Sequence, residues 1–462
     1  MRKDGLTANS PKGSSSEQKP RQRKRGGWFG NLTYCCVSYF MNFLDRAAFA
    51  NAYVSGLREA LGMTGHEYNN VLSITTAGMA VGQLPHGIII QRMVSAAAKN
   101  TTQLYVIRFL LGLAEASTYS GTIYIIGAWY RPDEISKRTA IFSGFGQIGT
   151  MFAGIMMTAI YKGMSGLAGL EGWQWVFLID GLITLPIAVF GYLFFPDIPE
   201  NTQAVYLSEK EKHLAVARLP PVQENGHNIS PMSLIKRVAL TPVFWILFFW
   251  SPVCATIEGF PFQNSFLLWL KYNSKTFTQT QINTYPLGVQ AVGIVATILT
   301  ACYMDVTGRR APMAVLACSI QIVVGTILLV KDIPPGLTFF VFYLAGSAYM
   351  VQPLIFGWAN IILQRSGDDA VRSVTLYSMN IGSMVLWTFW GIVFFSAADA
   401  PYWKKGGIAT IVCAAVMFGY TWLVRMIDHQ TRAKYADKLH GLDLDGRQQS
   451  GHDSEKAVVT GS

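Results

Sequence analysis

The 462-residue chain is 51% hydrophobic and 13% aromatic but only 14% charged; a soluble domain carries about 25% charged residues, so this is a multi-span membrane protein. Its formal net charge of +10 is concentrated in the first 25 residues, where eight Lys or Arg stand against Asp4 and Glu17 for a net +6. That stretch lacks the aromatic interleaving of a nucleic-acid surface, and no Ser/His/Asp arrangement, metal-ligand spacing or phosphate loop anywhere points to an enzyme or a cofactor.

In chain order, residues 1–28 read as a disordered basic cytoplasmic tail that touches anionic headgroups. The first apolar segment begins near Trp28 and is as long as a full span, so a retained helix is expected rather than a cleaved signal. That span, Gly30 to Val54, carries Asp45 and Arg46. A polar connection follows, and then a second span from Tyr68 to Ile90 that Pro85-His86-Gly87 would kink. His86 there suits a structural hydrogen bond better than proton handling. After Gln91-Arg92-Met93 only seven residues, Val94 to Asn100, precede the next apolar run. Seven residues are too few for a crossing, which needs about 20.

The run from Gln103 to Trp129 holds Arg108 and Glu115, seven residues apart. That is close to two helical turns, which sets both charges on one face about 10 Å apart along the axis. Facing lipid would be costly, so the face is expected to line a protein interior or a watery pathway. Structural ion pairs that pin neighbouring helices are the other reading.

Further spans are expected near Thr139 to Tyr161, Trp173 to Phe195, Val243 to Leu270, Thr284 to Tyr303, Ala311 to Val330, Leu337 to Leu363, Thr375 to Phe395 and Ile408 to Met426, eleven in all. Twelve would place nearly every basic loop and both termini inside, whereas eleven turn one half the wrong way round. The third crossing of a two-bundle arrangement is therefore missing. Residues 29–196 are expected to form one six-helix bundle and 242–426 another. A cytoplasmic connector with a short amphipathic helix, 197–241, would join them, and 427–462 would form a C-terminal tail. The six cysteines are scattered without a Cys-x-x-Cys spacing and read as small core residues. Gly144, Gly146 and Gly149 read as a close-packing surface inside a span.

Asn42-Phe-Leu-Asp-Arg46, Arg108 to Glu115, and the Gly172-to-Gly181 run Gly-Trp-Gln-Trp-Val-Phe-Leu-Ile-Asp-Gly resemble the anion:cation symporter branch of the major facilitator superfamily. Within it the chain is similar to the fungal allantoate permease group, and most like its pantothenate transporters, from about Asn42 to Arg425. The resemblance implies an all-α integral membrane fold and a proton-coupled symporter for a carboxylate-bearing organic anion. Pantothenate is the expected substrate, with allantoate, biotin, nicotinate or a related carboxylate as alternatives. It implies that Arg46 faces the substrate carboxylate, that Asp45 and Glu115 take up and release protons, and that Arg108 holds Glu115 ionised. These roles suit the chemistry: a guanidinium stays charged and grips both carboxylate oxygens, and an acid beside it can titrate when its partner leaves.

Gln147, Asn264, Asn360 and Asn380 are candidates to hydrogen-bond a substrate amide or hydroxyl, and each fits a helix-to-helix hydrogen bond equally well. Glu258 stands out as an acid inside a span. Asp305-Val-Thr-Gly308-Arg309-Arg310 resembles the superfamily's loop motif, with Gly308 permitting the turn and the arginines meeting carbonyls or a facing acid to brace an inner gate. The matching place near Gln91-Arg92 lacks this pattern. The expected partners are a small organic anion, a proton and the bilayer, for a monomer in the plasma membrane. The missing crossing keeps open a transport-inactive receptor or a defective splice product.

Overall fold

The computed structural model describes residues 26–81, 100–115, 118–130, 132–195, 199, 202, 207, 209–217, 231–258, 260–330 and 333–435. The basic tail through Arg25, Pro85-His86-Gly87, the link from Gln91 to Lys99 on which the missing crossing turns, Arg131, the middle of the connector and the chain beyond Tyr435 lie outside the described residues.

Among the described residues all regular structure is helical. Helix α1, Gly26–Ala52, runs into a π-helical turn, Tyr53–Leu57, where Gly56 takes φ +126°, a region that glycine tolerates. Next come α2, Gly65–Val81, α3, Thr101–Glu115, and α4, Thr118–Trp129. Helices α5, Pro132–Gly163, and α6, Gly172–Phe194, complete the first half. The connector carries α7, Glu209–Ala217, and α8, Pro231–Ala239. The second half holds α9, Pro242–Thr256, α10, Phe260–Tyr272, α11, Gln279–Thr284, and α12, Leu287–Thr307. It continues with α13, Ala311–Leu328, α14, Pro335–Ala345, α15, Val351–Gln364, α16, Asp369–Phe394, and α17, Lys404–Tyr435.

By length and apolarity, seven described helices can cross a membrane, or up to eight if α8 and α9, bent by 75°, count as one crossing. The eleven crossings expected from sequence are not reached by this measure. Two apolar runs that read as continuous are interrupted. The run over 243–270 breaks after α9, where Pro261 has no amide hydrogen to extend the helical bonding. The run over 337–363 tightens into a 3-10 turn, Gly346–Met350. Helix α1 is long enough but carries Asn42, Asp45, Arg46 and Asn51 along an otherwise apolar segment.

Small residues bring the helices together. A Cβ on Gly149 of α5 would stand 2.3 Å from the Phe40 carbonyl oxygen of α1 and one on Gly146 2.7 Å from the Tyr39 ring, so these two of the three glycines read from sequence are packing contacts, whereas Gly144 meets nothing within 4 Å. Helices α2 and α3 touch just as closely: a Cβ on Gly78 would lie 2.2 Å from the Phe109 oxygen, and one on Gly112 2.1 Å from the Thr75 oxygen. In lipid, where apolar burial between helices gains little, such backbone approach is what holds them. In the second half α9 packs on α16, and α13 on α17; α5 against α12 and α2 against α16 join the halves. Leu182, Val189, Phe190 and Leu193 of α6 and Val295 and Leu299 of α12 remain exposed, as suits side chains facing acyl tails.

Candidate functional site

Asp45 and Arg108 are each 1% exposed, and Arg108 Nη1 donates to Asp45 Oδ2 at 2.9 Å, linking α1 to α3. The guanidinium also lies over Phe49 at 4.9 Å and Phe177 at 5.0 Å, which fixes it from both sides. Arg108 was expected to hold Glu115 on its own helix; the carboxylate it grips is that of Asp45. Glu115 is also buried, at the end of α3.

Arg46, one residue beyond Asp45, turns to a different neighbourhood. Its guanidinium carbon lies 5.1 Å from the centre of the Phe43 ring, and its Nε has no hydrogen-bond partner. Phe43 lies 4.7 Å from Tyr39, Tyr39 5.7 Å from Tyr119, and Tyr119 meets Phe356 of α15 edge-on at 5.0 Å. Phe356 is in turn a wall of a small cavity, about 10 Å³, that also has Glu258, Asn380, Gln352, Ser383 and Trp387 on its lining.

The other expected residues divide between cavities and packing contacts. Asn380 is 1% exposed, with its Nδ2 unbonded at the Glu258 cavity. Asn264 lines a second cavity, about 60 Å³, beside Asn69, Tyr68 and Trp387. Trp387 therefore walls both, and its Nε1 donates to the Ala255 carbonyl at 2.8 Å. Gln147 is buried with Oε1 unbonded, facing Gly293 across the halves; a Cβ there would stand 3.1 Å from it. Asn360 wedges against Gly127, where a Cβ would stand 2.8 Å from its Nδ2, and donates to the Ile123 carbonyl at 3.5 Å. It acts as a helix-to-helix contact between α15 and α4.

In the loop after α12, Gly308 takes φ +67° and its N–H caps the helix on the Met304 carbonyl at 2.8 Å. Asp305 Oδ2 lies 3.3 Å from Lys137 Nζ of α5, tying the halves at this end. The Arg309 amide donates to Thr307 Oγ1 at 3.2 Å. Arg310 is nearly buried and its charge acts on Asp428 of α17, which Arg365 also grips at 2.5 Å.

At the opposite end of α12, Asn283 Nδ2 donates to Ser55 Oγ at 3.1 Å, Gln279 Nε2 to the same oxygen at 2.9 Å, and Lys271 Nζ to the Val54 carbonyl at 2.8 Å. Asn69 Nδ2 donates to the Gly391 carbonyl at 3.0 Å and its Oδ1 accepts from the Ala397 amide at 2.7 Å. One buried set escaped the sequence reading: Gln290 donates to Gln263 at 2.5 Å and to Tyr349 at 3.0 Å, and Tyr349 donates to Gln263 at 3.2 Å. The available signal was position, since Gln263 follows Pro261 and Tyr349 sits in the 3-10 turn.

The profile of the Major Facilitator Superfamily matches residues 35–387. The chain is 36% identical to a pantothenate transporter of Schizosaccharomyces pombe over 85% of this chain and 79% of that protein. It is 34% identical to a pantothenate transporter of Saccharomyces cerevisiae over 83% and 79%, and 27% identical to the vitamin H transporter of the same yeast over 85% and 70%. Among solved structures, the proton:xylose symporter XylE superposes with a TM-score of 0.60 at 13% identity, over 85% of this chain and 96% of that one. A bacterial homologue of the human lysosomal transporter Spinster, inward-facing, superposes with a TM-score of 0.58 at 14% identity, over 88% and 99%. These two likenesses are of fold alone. With the superfamily profile and the two fungal relatives running along most of its length, the chain belongs to the major facilitator superfamily, as a multi-pass membrane transporter and not an enzyme.

Proposed function

We propose that the protein couples uptake of a carboxylate-bearing organic anion to proton entry, with pantothenate as substrate. The observation that carries this reading is the division of labour on α1: Asp45 is spent in a buried ion pair with Arg108, while Arg46 beside it lies against Phe43 with its Nε unbonded. A permanent cation with unbonded donor capacity suits a substrate carboxylate. A buried carboxylate in an ion pair suits proton coupling, because protonation removes the attraction and frees the two helices to move apart. The 36% and 34% identities to fungal proteins named as pantothenate transporters support the substrate.

In this mechanism the anion docks on Arg46, and protonation of Asp45 and Glu115 allows the loaded carrier to turn inward. Asn380, Asn264 and Gln147 meet the polar groups of the substrate, and Asn360 sets the spacing of the halves. Asp305 and Lys137 part at the inner gate as Gly308, Arg309 and Arg310 move with α12. The bundles are 29–196 and 242–426, with both termini in the cytoplasm of a plasma-membrane monomer. The experiment is accumulation of labelled pantothenate in cells lacking their own transporter, with unlabelled allantoate, biotin and nicotinate as competitors. Wild type should accumulate pantothenate, and Arg46→Ala and Glu115→Gln should abolish accumulation while reaching the membrane in normal amount. Stronger competition by biotin, to whose transporter the chain is 27% identical, would reassign the substrate. Binding without accumulation in wild type would instead favour a receptor or inactive product.

A further inference from the structure

The connector enters the second half through α8, which carries Lys236 and Arg237 and is bent by 75° from the apolar helix α9. Leu234 and Val238 pack α8 onto Phe244 of α9 and Val371 of α16. Met232 and Ile235, by contrast, are 78% and 63% exposed. A short basic helix that runs across a crossing and shows apolar side chains outward suits the surface layer of a bilayer. Trp245, exposed in the first turn of α9, donates to the Ala239 carbonyl at 3.0 Å across the bend, and indoles favour that same layer. The bend borders a cavity of about 660 Å³ shared by α8, α9, α15, α16 and α17. Val243, Ile246, Ile362 and Ile427 supply apolar lining, and Arg237 and Lys434 supply cations. Asp368 lines it too, accepting from Arg237 Nη1 at 2.6 Å and from the Val371 amide at 3.0 Å, which sets the guanidinium in place. The charge around the cavity stays positive: residues 231–239, 365–372 and 428–435 hold six Lys or Arg against three Asp.

We propose that this cavity binds an anionic phospholipid, with the phosphate on Arg237 and Lys434 and the glycerol and upper acyl chains against Val243, Ile246, Ile362 and Ile427. A soluble anion would leave the apolar lining bare, and a zwitterionic lipid would leave the excess positive charge unanswered. The volume lies within the range of about 300–1,000 Å³ typical of small-molecule sites, so it takes a headgroup and the start of the chains while the tails continue into the bilayer. Leu240 lines the cavity while 70% exposed, so the tails have an exit at the bend. Basic cavities between crossing helices on the cytoplasmic side hold anionic headgroups, and the orientation proposed above puts the connector on that side. Thr431 of the lining accepts from Arg365 Nη1 at 3.2 Å, so a bound headgroup would sit one hydrogen bond from the Arg365–Asp428 pair.

The test titrates the purified full-length protein in detergent with dioleoyl phosphatidylserine, dioleoyl phosphatidylcholine or chain-free glycerophosphoserine, and reads the bound fraction by native mass spectrometry. Wild type should bind one phosphatidylserine about fivefold or more tightly than phosphatidylcholine, the effect of one charge at a membrane surface, and should not retain glycerophosphoserine. Lys434→Gln should weaken phosphatidylserine about fivefold and leave phosphatidylcholine unchanged. Val243→Trp fills the apolar lining and should weaken both lipids. Lys405→Gln, at the other end of α17, should match wild type. Equal affinity for the two lipids overturns the inference, as does an equal loss in Lys434→Gln and Lys405→Gln. Unchanged binding in Val243→Trp, or glycerophosphoserine held as tightly as the diacyl lipid, also overturns it. So does a wild type that takes up no lipid, which leaves the cavity to a protein segment. In detergent none of these outcomes depends on the transport reading or on orientation.

Discussion

Removing Arg108 leaves Asp45 buried beside two aromatic rings with no countercharge, a change that typically costs about 3–5 kcal/mol. Replacing both partners by neutral amides removes most of that penalty. Arg108→Ala is therefore expected to lower the folded, membrane-inserted yield more than the double variant Asp45→Asn with Arg108→Gln, as read by size-exclusion profiles in detergent. Equal losses in the two would show that the pair contributes nothing beyond its separate side chains. The charged residues were legible in the sequence because an ion in an apolar run is too costly to be incidental. Their pairing was not. Spacing along one helix placed Arg108 and Glu115 on a common face but carried no information about Asp45, 63 positions away on another helix. The Gln263, Gln290 and Tyr349 set was invisible for a different reason: uncharged polar side chains occur throughout membrane helices, and only the fold shows which of them converge.

At the scale of the helix, the apolar runs gave the order of elements but not their interruptions. Hydropathy is blind to short breaks, so the Glu258 gap and the five-residue 346–350 turn both read as continuous helix. Of the glycines read as a close-packing surface on α5, Gly146 and Gly149 make close approaches and Gly144 meets nothing within 4 Å, while the contacts of Gly78 on α2 and Gly112 on α3 were not singled out. Their contact is testable. A Cβ on Gly112 would stand 2.1 Å from the Thr75 oxygen, which is backbone and yields only if the helices separate. Gly112→Ala is expected to destabilise the detergent-solubilised protein by about 1–3 kcal/mol or more. Gly163→Ala, which meets nothing within 4 Å, should leave thermal stability unchanged. Equal melting temperatures for the two variants would contradict the close α2–α3 approach.

For the whole molecule, the halves are tied at both ends of α12, whose 21 residues span about 30 Å. Ser55, Asn283, Gln279 and Lys271 hold one end, and Lys137 with Asp305 holds the other. A carrier that opens to one side at a time must break one set while keeping the other. Between them lie the acids and arginines of the proposed site, so substrate and proton would bind where neither end is open to a leak. The two-part organisation is a reading of the sequence; which side chains tie each end was not legible in it, because Ser, Asn and Gln at helix ends carry no distinguishing pattern. Coupling is the central claim. The most direct measurement is proton movement itself: adding pantothenate outside weakly buffered cells that express the chain while following external pH. Pantothenate should cause a prompt alkalinisation that scales with labelled uptake and is lost in Arg46→Ala. Pantothenate uptake with no accompanying proton entry would contradict the account.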